Sequence, residues 1–207
     1  EHSDDTTNTS TEKYETLITG LIKAHNFPEA KRLFDEARSK EHVFDDNMYL
    51  NIFKSATRLN YMKDAVALKE LCIEKGIELD DYAMSDLIVC YIKNNDVQEA
   101  EQVFNDLVEK GRPPLRFACI ALARQFESEG KPDKIKDIYE KYNQVGQEKI
   151  PFMRFLLGAY ITCQNPDAAI ETVREELIEK KTPPGAVGTK ALFKKLIVNN
   201  FELDKEE

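Results

Sequence analysis

Apolar residues fall in paired short amphipathic runs along the chain, separated by small polar or proline-bearing connections. Residues 16–37, TLITGLIKAHNFPEAKRLFDEA, show the unit: apolar positions at helical spacing, the connection HNFP, then a second helical run. Few segments alternate apolar and polar with period two, so strands are not expected. The pattern predicts helical hairpins, and a lone hairpin cannot bury its own apolar face.

The hairpins recur. A step of 35 residues carries Ala30 to Ala65, Ala100, Ile135 and Ile170. The same step carries Leu17 to Ile52, Leu87, Leu122, Leu157 and Leu192, and Leu33 to Leu68, Val103, Ile138 and Val173. Gly76, Gly111 and Gly146 keep the step and stand where a second helix should stop; Pro113-Pro114 and Pro183-Pro184 follow such stops two repeats apart. The blocks are 11–45, 46–80, 81–115, 116–150 and 151–185, with a final helix over 186–200. A fixed period of this length marks a stacked repeat array. Small residues in the Ala30 column let each second helix approach the first closely, and the Leu17 and Leu33 columns are expected to fill the seam. Residues 1–12, EHSDDTTNTSTE, hold no apolar residue and read as a disordered polar lead-in, leaving 13–207 as the array.

Composition narrows the chemistry. Of 207 residues, 42% are hydrophobic and 32% charged, which suits helices with one buried and one solvated face. The formal net charge of −9 argues against a generic polyanion-binding surface, while leaving room for a local basic stripe. Cys72, Cys90, Cys119 and Cys163 lie in apolar helical patterns without a CxxC pair, and are expected as buried reduced thiols. No apolar run reaches the roughly 18 residues of a membrane span. No GxGxxG, GxxxxGK[ST] or HExxH occurs, and His2, His25 and His42 lack metal-ligand spacing. No catalytic residue, metal, cofactor or small-molecule substrate is therefore expected. No targeting segment is visible in a chain that opens on Glu1 without a Met; an N-terminal segment is expected to be missing, and the chain is expected to be part of a longer solenoid.

YETLITGLIKAHNFPEAKRLFDEARSK, residues 14–40, resembles the pentatricopeptide repeat through Tyr14, Thr16, Leu17, Ile18, Leu21, Glu29, Ala30, Leu33, Phe34 and Ala37. VQEAEQVFNDLVEKGRPP, residues 97–114, matches again. The tetratricopeptide repeat is the near competitor. The 35-residue period and the large Ile18, Phe53 and Ile88 favour the pentatricopeptide reading. The resemblance implies an all-α, right-handed α-solenoid with its first helices on the concave face. It also implies single-stranded RNA as ligand, read about one base per repeat, and a mitochondrial setting in mRNA stability, processing or translation. The degenerate repeats resemble most the animal mitochondrial leucine-rich members.

The resemblance also assigns positions. Base-reading places hold Glu15, Leu50, Ser85, Ile120 and Phe155 in one column and Asp45 and Asp80 in the other. Glu15, Ser85, Asp45 and Asp80 are the polar candidates to meet a base edge; of these only Ser85, Asp45 and Asp80 have the residue types the family uses, and no repeat carries both. Lys23, Arg58 and Lys93 share a column that resembles a phosphate contact, or else each neutralises the C-terminal end of a first helix. Tyr82, Phe117 and Phe152 stand where the family stacks bases, or else serve as core between repeats. The apolar reader residues Leu50, Ile120 and Phe155 suggest the alternative, a solenoid scaffold that contacts a protein partner.

Overall fold

The computed structural model describes residues 3–112, 114–145 and 152–175. Among them are ten helices and no strand: α1 (Ser3–Lys23), α2 (Phe27–Ser39), α3 (Asp46–Arg58), α4 (Met62–Glu74), α5 (Asp81–Lys93), α6 (Val97–Glu109), α7 (Arg116–Ser128), α8 (Pro132–Val145), α9 (Phe152–Thr162) and α10 (Pro166–Arg174). The starts of α3, α5 and α7 lie 35 residues apart, as do those of α2, α4, α6 and α8. Gly146, Pro183, Pro184 and the expected helix over 186–200 fall outside the described residues.

The stops explain the regularity. His25, Asn60, Asn95 and Gly130 end the first helices in left-handed backbone, with φ of 56°, 64°, 61° and 64°. Glu41, Gly76 and Gly111 end second helices at 62°, 71° and 67°. In each case the next residue's N–H reaches back five positions to close the turn. Asn26 N–H donates to the Leu21 carbonyl at 2.9 Å, Tyr61 to Ala56 at 2.8 Å, and Ile77 to Cys72 at 2.8 Å. An L residue with a side chain is strained there, and Glu41 has no compensating glycine. Glu41→Gly is therefore expected to stabilise the chain by about 0.5–1 kcal/mol, the relief exceeding the added unfolded-state entropy. A thermal melt checks it: the midpoint should rise, and a fall would mean that the Glu41 side chain contributes more than its backbone strain costs.

The chain divides into two compact units, one ending at Val103 and the other starting at Phe104. In the first, α3 packs against both α1 and α5, α1 packs on α2, and α3 packs on α4. Ile18, Phe27, Ala30, Phe34, Ile52, Phe53, Ala65, Leu68, Leu87 and Ile88 form its core. In the second, α7 and α9 lie closely side by side, with α8 and α10 against them. The column that runs through Ile18, Phe53 and Ile88 shrinks here to Ala123 and Gly158. A methyl added at Gly158 would run into the Glu127 side chain.

Four expectations change. Residues 3–12 are helical, not a lead-in, because extending a formed helix needs no new nucleation and no apolar residue. Leu17 is 56% exposed although Ile52, Leu87, Leu122 and Leu157 are buried. The reason is that α1 has α2 and α3 beside it but no first helix on its other flank among the described residues. In the fifth hairpin the left-handed stop is Gln164, 34 residues after Gly130, so the buried small anchor is Ala169 and Ile170 turns aside. Finally, Cys163 is exposed just past the end of α9, while Cys72, Cys90 and Cys119 are buried.

Candidate functional site

The polar faces of α1 and α3 enclose an open groove of about 560 Å³. Helix α1 contributes Glu15, Thr16, Thr19, Gly20 and Lys23; α3 and its N-cap contribute Asp45, Asn47, Met48 and Asn51. The structure thus brings together three residues singled out from the sequence: Glu15, Asp45 and Lys23. Lys23 is exposed at the last residue of α1 and makes no ion pair. Glu15 is half-buried and makes no hydrogen bond. Thr19 and Asn51 were not anticipated. Their signal in the sequence is only that they stand one helical turn from Glu15 and Asn47 on the same faces.

Asp45 and Asp80 have a structural task. Each is the N-cap of the helix that follows. One Asp45 oxygen accepts the Met48 N–H at 2.8 Å and the other the Asn47 amide at 3.2 Å. Asp80 accepts the Ala83 N–H at 2.7 Å and the Lys54 ammonium at 2.6 Å. Burial pushes the Asp80 pKa up, but the Lys54 hydrogen bond and the Ala83 amide outweigh it and hold the carboxyl below the usual carboxylate range. An Asp directly before an apolar-periodic run is an N-cap signal in its own right.

The remaining candidates separate. Lys93 is exposed without an ion pair. Arg58 donates from Nε to Asp86 at 2.9 Å, and its guanidinium lies 5.1 Å over the ring of Tyr82, which is itself exposed. Ser85 is fully buried within α5 and presents nothing to a base. Phe117 remains exposed at the start of α7. Phe152 is 3% exposed, its ring 5.4 Å from Tyr139 and 6.0 Å from Tyr142, so it packs α9 onto α8 instead of offering a stacking face. Phe155 is likewise buried and drops out as a protein contact, because α9 is apolar on nearly every face. Leu50 and Ile120 are half-buried.

The first hairpin also carries a polar knot. Tyr14 donates to Glu36 at 2.9 Å, and Lys40 donates to both Glu36 at 2.6 Å and the Tyr14 hydroxyl at 2.9 Å. The Lys40 and Tyr14 hydrogen bonds bring the Glu36 carboxyl down to about 2. Burial raises the Cys72 and Cys90 thiols, which leaves them poor nucleophiles. No helix among the described residues is long and apolar enough to cross a membrane, and no group of His, Cys, Asp and Glu there has the makings of a metal site.

Comparison with known proteins gives the geometry a context. The PPR repeat model matches residues 14–42 and 82–112, and the two matches end two 35-residue steps apart. A pentatricopeptide repeat-containing protein of Arabidopsis thaliana is 28% identical over 109 residues, 52% of this chain and 17% of its own length. The mitochondrial 15S rRNA processing factor CCM1 of Meyerozyma guilliermondii is 25% identical over 168 residues, 77% of this chain and 25% of that protein. The small ribosomal subunit protein mL103 (rPPR7) of Arabidopsis thaliana is 22% identical over 135 residues, 64% of this chain and 32% of its length. The chain therefore spans no more than about a third of these relatives. The crystal structure of the pentatricopeptide repeat protein PPR10 in complex with an 18-nt psaJ RNA element superposes with a TM-score of 0.59 at 20% identity, over 93% of this chain and 29% of that one. It shares the all-α solenoid fold. With two matched repeats in phase with the helical period, this chain carries PPR-type repeats and is similar in sequence and fold to pentatricopeptide repeat proteins.

Proposed function

We propose that this chain is a non-catalytic module that binds single-stranded RNA and serves organellar (mitochondrial) mRNA stability, processing or translation. The observation that carries the reading is the open polar groove between α1 and α3, with an unpaired cation, Lys23, at its rim. A base has room beside Glu15 and Asp45, and a phosphate can lie against Lys23. Lys93 offers a second phosphate contact on the exposed end of α5. The relatives supply the setting: CCM1 carries rRNA processing and mitochondria in its name, and PPR10 was solved on RNA. The scaffold alternative loses ground because Phe155 is buried and Leu50 and Ile120 are only half accessible.

Fluorescence anisotropy with a single-stranded RNA, repeated at several salt concentrations, tests the proposal. Each phosphate contact removed should flatten the slope of log affinity against log salt by about 0.7. Lys23→Ala combined with Lys93→Ala should therefore lower it by about 1.4. An unchanged slope, or no binding by the parent chain, overturns the reading. Capture of a protein partner that survives nuclease treatment would then favour the scaffold.

A further inference from the structure

The junction between α1 and α3 is open, and the junction between α3 and α5 is fastened. Lys54 on α3 pairs with Asp80 at 2.6 Å, Arg58 pairs with Asp86 at 2.9 Å, and the Arg58 guanidinium covers the Tyr82 ring at 5.1 Å. Stepping each of these residues back by 35 gives Thr19, Lys23, Asp45, Asn47 and Asn51. All five line the open groove. The equivalent positions therefore leave space at the first junction and close the second. Two substitutions make the difference in charge: Asn51 becomes Asp86, and Thr19 becomes Lys54.

We infer that Asp86 and Tyr82 hold Arg58 as a clasp across the α3/α5 junction and so withdraw it from the RNA phosphate line that Lys23 and Lys93 supply. The inference rests on the RNA-binding reading above. The energetics favour the withdrawal. The Asp86 side chain is only 13% exposed, so moving Arg58 onto a phosphate would leave a largely desolvated carboxylate without its cation. The ring contact with Tyr82 would be lost in the same movement. A lone surface ion pair would be a weak restraint, but here two ion pairs and a ring contact act on one junction. Lys23 faces no such competitor, since its partner position holds the neutral Asn51.

Salt slopes of RNA binding discriminate. Arg58→Ala should leave the slope of the parent chain unchanged, whereas Lys23→Ala should lower it by about 0.7. Asp86→Asn should release Arg58 and raise the slope by about the same amount. Adding Arg58→Ala to that variant should return the slope to the parent value. Asp46→Asn, which removes the same charge in the first turn of α3, serves as the control and should leave the slope alone. A lower slope in Arg58→Ala, or none gained in Asp86→Asn, overturns the clasp while leaving RNA binding intact. If the parent chain binds no RNA, the RNA reading is what fails. The clasp is then judged by the melting temperatures of Arg58→Ala, Asp86→Asn and the double variant. Non-additive losses support the clasp and additive ones overturn it.

Discussion

Phe34→Ala is expected to destabilise the chain by about 3–5 kcal/mol, the largest loss anticipated for any single truncation here. Phe34 is fully buried in α2. Its ring stacks on Phe44 at 5.4 Å and meets Tyr49 edge-on at 5.3 Å. Tyr49 in turn lies under the Lys75 ammonium at 5.2 Å. The aromatic trio therefore ties the first hairpin, through the connection at Phe44, to the second. In an array stabilised by contacts between neighbours, a cavity at such a joint weakens both hairpins and not one alone. Urea unfolding measures the effect: the midpoint should fall sharply. A loss below about 1 kcal/mol would mean that the joint collapses onto the gap, and that the trio is not what holds these hairpins together.

Ala100→Leu should be the second large effect, about 1–3 kcal/mol, and its sign comes from overpacking instead of a cavity. Ala30, Ala65 and Ala100 are all fully buried at one position of successive second helices. A side chain three carbons longer has no room there and must push the helix from its neighbour. Arg124→Ala is the comparison: Arg124 is exposed on α7, and its loss should stay within about 0.5 kcal/mol. Melting curves of the two variants under one condition decide it. Equal midpoints would mean that the Ala30 column does not set the approach of the helices.

These columns show what the sequence makes legible. Alanine at 30, 65 and 100 and the apolar residues around it report packing directly, because a buried helical face needs one residue type at one spacing. Helix ends were legible where Gly76 and Gly111 mark them, and illegible at His25, Glu41, Asn60 and Asn95. There the backbone takes the left-handed turn without a glycine to announce it. The early stop at Gln164 was hidden for the same reason, and it carried the Ile170 assignment one residue out of register.

Site residues were harder, because a position in a repeat does not determine what covers it. Tyr82 and Phe152 share a column, yet one lies exposed under Arg58 and the other is sealed between Tyr139 and Tyr142. Lys23 and Arg58 share another, and a single change across the junction, Asn51 against Asp86, separates a free cation from a bound one. Polar type and spacing could place Glu15, Lys23 and Asp45 near one another. That Asp45 is already occupied by the Met48 amide follows from a different signal, its place directly before an apolar-periodic run.

That occupancy restricts the vocabulary of the array. Asp45 and Asp80 each start a helix with one carboxylate oxygen, so any replacement must first be able to start a helix. Asp, Asn, Ser, Thr and Gly can do so at little loss, while other residues forfeit about 1 kcal/mol. Redesigning the groove at these two places is therefore a choice among five letters, and wider variety has to be sought at neighbours such as Glu15 and Asn51, which start nothing.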